Sequence, residues 1–212
     1  MFNKVLNAMK KEFIDGFYIT NPQNVRYVSG YTGDDSFLLL TEENKFFITD
    51  ARYTEQAKDE CPDFEIIDWR AKGKGMYETI NYILEKTEVK RLGFEAEHIS
   101  YKKFINLFEN IEIEITPVVG LVEKIRTIKT IQEIENLRKA CNIADKAFTR
   151  ILDDIKVGVT EKELSAKLSY YLRLEEADAK SYNNIFISGK RTSLLHGIPS
   201  DKKIEYGDFV LM

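Results

Sequence analysis

Cysteine and histidine are scarce in this 212-residue sequence, which holds only two of each. Cys61 and Cys141 lie far apart and form no CxxC pair, so we expect free, reduced thiols in a cytoplasmic protein. Because His98 and His196 are the only imidazoles, the spacing of these residues assembles no zinc-type ligand set. P-loop, GxGxxG and GxSxG motifs are also missing, which removes common sequence signals for nucleotide binding and for serine hydrolases.

Strong basic charge and long apolar runs are absent as well. The formal net charge is −4 and the basic residues are dispersed, so we expect no nucleic-acid partner. The longest apolar runs, such as 37–40, are far too short to cross a membrane, and we expect no signal peptide. With 43% hydrophobic and 31% charged residues, the composition is that of a soluble globular protein with one large or two small domains.

Helices and strands are predicted to alternate over the first part of the chain. Apolar residues at helical spacing, including Val5, Met9 and Phe13, predict an amino-terminal helix. Asn21 followed by Pro22 predicts a helix start, with asparagine as the cap and proline at the first helical position. The whole pattern indicates a mixed α/β domain with strands at 16–20, 36–40, 45–49, 64–67, 91–94 and 112–116, and further helices at 52–60, 76–86 and 101–109.

Two capping boxes mark the helices of the second part of the chain. Thr130 and Glu133 flank the start of one predicted helix, and Thr160 and Glu163 flank the start of the next. In each box the threonine oxygen and the glutamate satisfy amides that have no partner within the helix. Apolar residues recur at helical spacing behind each box, which predicts two amphipathic helices.

Two strands are predicted after these helices, at 184–188 and 208–212, and a loop that carries His196 joins them. The last strand is apolar and resembles a core strand. Helix, helix, strand, loop and strand make only the first half of an α+β domain. We therefore predict two domains, at residues 1–122 and 123–212.

Two loops hold the side chains that could take part in chemistry. Asp34 and Asp35 follow two glycines, which favours either a turn or a close approach of the backbone to a ligand. His196 lies in a glycine-flanked loop, and an imidazole exchanges a proton near neutral pH. Residue type alone leaves open whether His196 is functional or only a structural loop residue. The remaining acidic pairs are predicted to be solvated helix surface: Asp153–Asp154 and Glu175–Glu176.

Several segments together resemble one known family. The segment 182–211, which begins YNNIFISGKRTSLLHGIPSDKK, resembles the central motif of the Xaa-Pro peptidases, the aminopeptidases P and prolidases of the pita-bread metallopeptidase family. Segments 24–33 (NVRYVSGYTG) and 49–57 (TDARYTEQA) are similar to the creatinase-like amino-terminal domain of that family. Segment 124–134 (KIRTIKTIQEI) is similar to its inter-domain entry. The resemblance implies an α/β creatinase-like domain followed by the first half of an α+β pita-bread domain.

This resemblance implies hydrolysis of the peptide bond that precedes proline, at a pair of divalent metal ions, usually manganese. The family holds these ions with two aspartates, a histidine and two glutamates, and all of them are expected beyond Met212. His196 matches the family histidine that contacts the substrate and stabilises developing charge, and Tyr182 matches an aromatic residue of the substrate pocket. Leu195 departs from the family pattern, which typically has proline before this histidine.

Without those ligands we expect the 212-residue chain to bind no catalytic metal and to be inactive, as the amino-terminal portion of a Xaa-Pro peptidase. The resemblance also implies a homodimer, while the charge and the short apolar runs predict no nucleic-acid or membrane partner. Two alternatives stay open: a naturally shortened paralogue that acts as a binding or oligomerisation module, and a creatinase-like hydrolase that needs no metal. Exposure of the apolar segment 209–211 would favour self-association or a poorly ordered end.

Overall fold

A computed structural model describes residues 1–71 and 75–212. The chain divides into two compact units, which we call the first unit, Met1–Ile128, and the second unit, Lys129–Met212. The domain assignment at 1–122 and 123–212 stays a prediction. Within the described residues, no helix is both long and apolar enough to span a membrane.

Among the described residues of the first unit, a six-stranded mixed sheet lies between helices. In chain order the strands are β1 (Gly16–Ile19), β2 (Phe37–Thr41), β3 (Lys45–Thr49), β4 (Glu65–Asp68), β5 (Arg91–Glu95) and β6 (Glu114–Val118). The helices are α1 (Phe2–Lys11), α2 (Pro22–Ser29), α3 (Thr54–Glu60), α4 (Met76–Lys86), α5 (Tyr101–Asn110) and α6 (Leu121–Thr127). The strand order is β4-β3-β2-β1-β5-β6, with β2 antiparallel to both neighbours and the other pairs parallel. The predicted mixed α/β fold is confirmed.

The central strand β1 is buried on both faces, as its apolar sequence predicts. Phe17 packs into a cluster that includes residues of α1 and α6, whereas Tyr18 packs into the opposite cluster, which includes residues of α4 and α5. This alternation follows from the strand geometry, because successive side chains point to opposite faces of a sheet. Both faces of the sheet are therefore covered by helices.

Helix α1 contributes Val5 and Met9 to this core, but Phe13 does not follow them. The helix ends at Lys11, and Phe13 has a φ of 56° and is 77% exposed. The amide of Ile14 donates to the carbonyl of Met9 (3.2 Å), which is the hydrogen bond of a Schellman motif. The prediction that Phe13 lies on the apolar helix face was wrong, because the chain turns there and buries Ile14 instead.

The second unit contains α7 (Ile131–Leu152), α8 (Glu161–Leu174), β7 (Ile187–Ser188), a 3₁₀ turn (Gly189–Ser193) and β8 (Val210–Leu211). Both predicted capping boxes are confirmed, because Thr130 accepts a hydrogen bond from the amide of Glu133 and Thr160 from that of Glu163. Strands β7 and β8 pair antiparallel. The buried apolar cluster of this unit is small and consists of Ile151, Leu164, Phe186 and Ile204.

The two strands of the second unit are much shorter than the predicted spans 184–188 and 208–212. Upstream, the side chain of Asn184 donates to the carbonyl of Ser165 (3.0 Å), so this segment is bound to α8 rather than to a strand. Downstream, Phe209 is 84% exposed, while Val210 packs against the buried cluster. The predicted strand lengths were therefore wrong, because only Ile187–Ser188 and Val210–Leu211 pair as strands.

Candidate functional site

His196 lies in a loop between the two strands of the second unit, which we call the histidine loop, residues 189–200. Within it, the amide of Gly197 donates to the carbonyl of Leu194 (2.8 Å) and closes a tight turn. Gly197 is buried, and a Cβ on it would come within 2.9 Å of the Ile187 side chain. His196 itself is exposed. The turn thus packs closely on β7 while the histidine beside it faces solvent.

The carboxylate of Glu161, the first residue of α8, binds the residues at both ends of the histidine loop. Its Oε1 accepts from the amide (2.8 Å) and the hydroxyl (3.1 Å) of Ser188. Its Oε2 accepts from the amide (2.9 Å) and the hydroxyl (2.7 Å) of Ser200. Arg191 donates its Nε to Oε2 (3.1 Å) and its Nη2 to the carbonyl of Ile198 (2.8 Å). One fully buried carboxylate therefore joins residues before, within and at the end of the loop.

The hydrogen bonds and the ion pair of the Glu161 carboxylate favour its ionised form despite its burial. Burial raises the pKa of this carboxyl group, but the hydrogen bonds from Ser200 and Ser188 lower it by more, so the pKa lies below its usual value. The guanidinium of Arg191 supplies a compensating positive charge. An ionised carboxylate offers acceptors on both oxygens, and every group that binds it here is a donor.

A second set of polar contacts fixes the start of the loop. The Nζ of Lys202 donates to the hydroxyl of Ser188 (3.1 Å) and to Oδ2 of Asp208 (2.6 Å). Asp208 Oδ2 also accepts from the amide of Glu205 (2.9 Å), and the hydrogen bond from Lys202 lowers the pKa of Asp208. Gly189 has a φ of 56°, and a Cβ on it would collide with Oδ1 of Asp208. Only glycine fits this position without strain.

Tyr182 and His196 line different cavities. Tyr182 is 72% exposed and lines a groove of about 940 Å³ together with Leu195. His196 lines a separate groove of about 480 Å³ together with Lys162. Asn184 lies between them and lines both grooves. The structure therefore does not bring the two predicted site residues into one cavity.

The described residues do not fit the dinuclear metal centre that the resemblance implies. Within residues 1–71 and 75–212, no group of three or more His, Cys, Asp or Glu side chains could hold a metal ion. The groove beside His196 is lined by basic, hydroxyl, amide and apolar residues, with no carboxylate from the described part of the chain. Carboxylate oxygens are ligands that manganese prefers. Both cysteines are free, with Cys61 buried and Cys141 exposed.

Asp35 closes the two-glycine loop of the first unit. It has a φ of 42°, and its carbonyl accepts from the hydroxyl of Thr49 (2.9 Å). Its carboxylate accepts from Nη2 of Arg52 (2.9 Å), which also donates to the buried Asp50 (2.7 Å). The hydrogen bonds from Arg52 lower the pKa of Asp50 to about 2. This geometry supports the turn interpretation of Asp35.

Glu161 is the residue of the site that the sequence analysis missed. The capping box explains Thr160 and Glu163, and nothing in its spacing distinguishes the glutamate between them. A weak signal was present, because the histidine loop is bracketed by Ser188 and Ser200, whose polar groups need an acceptor when buried. The identity of that acceptor depends on how α8 packs, which sequence spacing does not determine.

Comparison with known proteins relates both units to the same enzymes. Residues 2–128 match the family model of the Creatinase/Prolidase N-terminal domain, and residues 135–212 match Metallopeptidase family M24. The chain is 40% identical to the uncharacterized peptidase YqhT of Bacillus subtilis, over 99% of this chain and 59% of that protein. It is 32% identical to the Xaa-Pro dipeptidase of Pyrococcus furiosus, over 99% of this chain and 58% of that protein.

Solved structures give the same relationship. The Xaa-Pro dipeptidase from Bacillus anthracis is similar with a TM-score of 0.92 and 36% identity, over 99% of this chain and 58% of that chain. The chain thus spans 58–59% of the length of these relatives. The predicted succession of a creatinase-like domain and the start of a pita-bread domain is confirmed.

Proposed function

The chain belongs to the Creatinase/Prolidase family of metallopeptidases, and on that premise we propose that it is the amino-terminal portion of a metal-dependent Xaa-Pro peptidase. The proposed reaction is hydrolysis of the peptide bond before proline, in dipeptides or at the amino termini of longer peptides. Two relatives that are named Xaa-Pro dipeptidases support this substrate class. The observation that carries the proposal is an exposed histidine on a loop whose two ends are bound by one buried carboxylate.

His196 is proposed to contact the substrate and to stabilise the negative charge that develops on the carbonyl oxygen. A group with this task must be held in place before the reaction, because reorganisation during the reaction would cost part of the stabilisation. The closed ends of the histidine loop supply that rigidity. Tyr182 is proposed as an aromatic wall of the substrate pocket, and its exposed ring, in the groove that Leu195 also lines, suits an apolar contact.

Two divalent metal ions, manganese by resemblance, are proposed as cofactors of the complete enzyme, in which they activate water and polarise the scissile carbonyl when bound. The described residues offer no ligand set for them. Because the chain spans 58–59% of the length of its relatives, we propose that residues outside these 212 hold the ions and that the 212 residues by themselves have no peptidase activity. A homodimer is proposed from the resemblance alone, and sedimentation of the complete protein at several concentrations tests it. A cytoplasmic location is proposed from the two dispersed cysteines.

The test of the activity uses protein expressed from the complete gene, sequenced through codon 212. Ala-Pro and Ala-Ala serve as matched dipeptides, and Ala-Pro-Ala and Ala-Ala-Ala as matched tripeptides. We expect cleavage before proline only, loss of activity after chelation, and recovery when Mn²⁺ is returned. Equal cleavage of Ala-Pro and Ala-Ala would contradict the proposal. A stop codon directly after Met212, together with no measurable turnover, would also contradict the proposal. That result is expected of a shortened paralogue that only binds a partner.

A further inference from the structure

We propose that Glu161 is a positioning residue for His196, and that it acts through the histidine loop rather than by touching the substrate. For the role of His196 this inference rests on the proposed function. It starts from a contrast within the first turn of α8. The carboxylate of Glu163 accepts from Thr160 at the helix start (2.8 Å), whereas Glu161 turns inward and is fully buried. A buried carboxylate is costly unless several donors bind it, and those donors come from the histidine loop and its flanks.

The residues that bind Glu161 bracket His196 along the chain. Ser188 precedes the loop and Ser200 ends it, and both donate an amide and a hydroxyl to the same carboxylate. Arg191 adds a third connection within the loop, since it donates to Glu161 and to the carbonyl of Ile198. A loop whose ends are held at one point has far fewer conformations than a free one. The position of the His196 imidazole therefore depends on the Glu161 carboxylate.

The chemistry of the contact requires a carboxylate and not an amide. Oε1 of Glu161 faces the amide of Ser188, and Oε2 faces the amide of Ser200. A glutamine at this position would offer an acceptor at one of these places and an N–H donor at the other. Whichever way the amide is turned, one end of the loop then meets a donor where it needs an acceptor. Replacement of Glu161 by glutamine, although nearly the same in shape, is thus expected to release one end.

Both ends of the loop also have contacts that do not involve the Glu161 side chain. Lys202 Nζ joins the hydroxyl of Ser188 to Asp208, beside β8. This connection persists when Glu161 is changed. At the other end, Ser200 uses both its amide and its hydroxyl to bind Glu161. The carbonyl of Ser200 also accepts from the amide of Lys162 (3.2 Å), so the backbone keeps one connection to α8 there. We therefore expect the loss of Glu161 to loosen the loop between these two ends, where His196 lies.

Amide hydrogen exchange in the complete protein tests the positioning directly. The variants are Glu161→Gln and its matched control Glu163→Gln, which removes the same charge from the same helix turn. In Glu161→Gln we expect exchange in the histidine loop to rise at least tenfold, while α7 and the first unit exchange as in the wild type. Glu163→Gln should leave the loop unchanged. Wild-type exchange of the loop in Glu161→Gln would overturn the proposal.

Kinetics with Ala-Pro supply the second readout. Displacement of His196 should lower kcat at least tenfold with a small change in KM, because the imidazole is proposed to act on the developing charge. Ser200→Ala keeps the amide donor and loses the hydroxyl, so it should give an intermediate effect and decides the matter if Glu161→Gln fails to fold. A loosened loop with unchanged kcat would overturn the positioning role. If the wild type cleaves no Xaa-Pro peptide, the proposed function fails, and hydrogen exchange alone still decides whether Glu161 holds the loop.

Discussion

The two units stabilise their structures in different ways. In the first unit, apolar residues cover both faces of the sheet, and strands β1, β2 and β3 are buried along nearly their whole length. In the second unit the apolar cluster is small, and the histidine loop is held by hydrogen bonds to Glu161. The first unit therefore depends on side-chain volume, whereas the histidine loop depends on the chemical type of a few polar groups.

This difference assigns separate tasks to the two units. A packed core responds to the removal of almost any large side chain, because the cavity left behind is only partly filled. A buried polar network responds to the loss of one acceptor, because the donors that bound it stay buried without a partner. On this account the first unit supplies stability, and the second unit presents His196. The following predictions test the contrast, from the largest expected effect to the smallest.

Phe47→Ala should cause the largest loss of stability, since Phe47 is fully buried in the first unit. The expected loss in the free energy of unfolding is about 3–5 kcal/mol. Phe13→Ala is the control, because Phe13 is 77% exposed, and its effect should stay within about 0.5 kcal/mol. Urea unfolding followed by fluorescence measures both, because Trp69 is the only tryptophan and packs in the first unit. Comparable losses in the two variants would contradict the account.

Asp50→Asn should destabilise the first unit at neutral pH and make its free energy of unfolding less dependent on pH at acid pH. The pKa of Asp50 is lowered from 3.8 to about 2, so ionisation of Asp50 stabilises the fold above pH 3.8. That contribution is lost as the pH falls through about 2. The difference in the free energy of unfolding between wild type and Asp50→Asn should therefore disappear as the pH falls through this range. Urea titrations followed by Trp69 fluorescence measure it. Asp63→Asn, whose side chain is 81% exposed, should follow the wild type. A difference in the free energy of unfolding that stays constant with pH would argue against this role of Asp50.

Gly189→Ala should disturb the second unit more than Gly158→Ala. Both glycines have a positive φ, 56° and 94°, so a left-handed backbone costs each alanine about 1–2 kcal/mol. Only Gly189 would also place a Cβ against Asp208, whereas nothing lies within 4 Å of a Cβ on Gly158. Amide hydrogen exchange in α8 and the histidine loop measures both variants. Equal effects would indicate that the contact with Asp208 does not constrain the loop.

Thr160→Ala should cause the smallest loss, because it removes one cap hydrogen bond at the start of α8. The expected cost is about 1 kcal/mol. Thr149→Ala is the control, since the Thr149 hydroxyl donates to the carbonyl of Asp145 inside α7 and caps nothing. Thermal unfolding followed by circular dichroism compares the two. Equal unfolding temperatures for Thr149→Ala and Thr160→Ala would contradict the stabilising role of the Thr160 cap.

The first unit could be predicted from sequence because its signals are local. Helix α4 was predicted with the bounds that it has, and the cap by Asn21 follows from residue type and position. The position of Phe13 was not predicted correctly, because apolar spacing does not show where a helix ends. The sheet order was also out of reach, since strand pairing brings together residues that are distant in sequence.

The second unit was less predictable, because its features depend on tertiary contacts of polar groups. Asp154 was predicted to be solvated, but it accepts from the hydroxyl of Tyr171 (2.6 Å) and binds Lys167. Glu175 was predicted in the same way, yet its side chain is 11% exposed and pairs with Arg150 (2.7 Å). These two predictions were wrong for the reason that hid Glu161. The local sequence around a charged residue on an amphipathic helix does not show which residue of another segment will bind it.

The most direct test of the account compares the two histidines in the complete protein. His196 and His98 are both exposed, but only His196 lies on the loop that Glu161 holds. His196→Ala should lower kcat/KM for Ala-Pro by at least about 100-fold, as expected for the loss of one group that stabilises developing charge. His98→Ala should retain the wild-type value. A His196→Ala enzyme with wild-type kcat/KM would contradict the claim that the second unit presents His196 to the substrate.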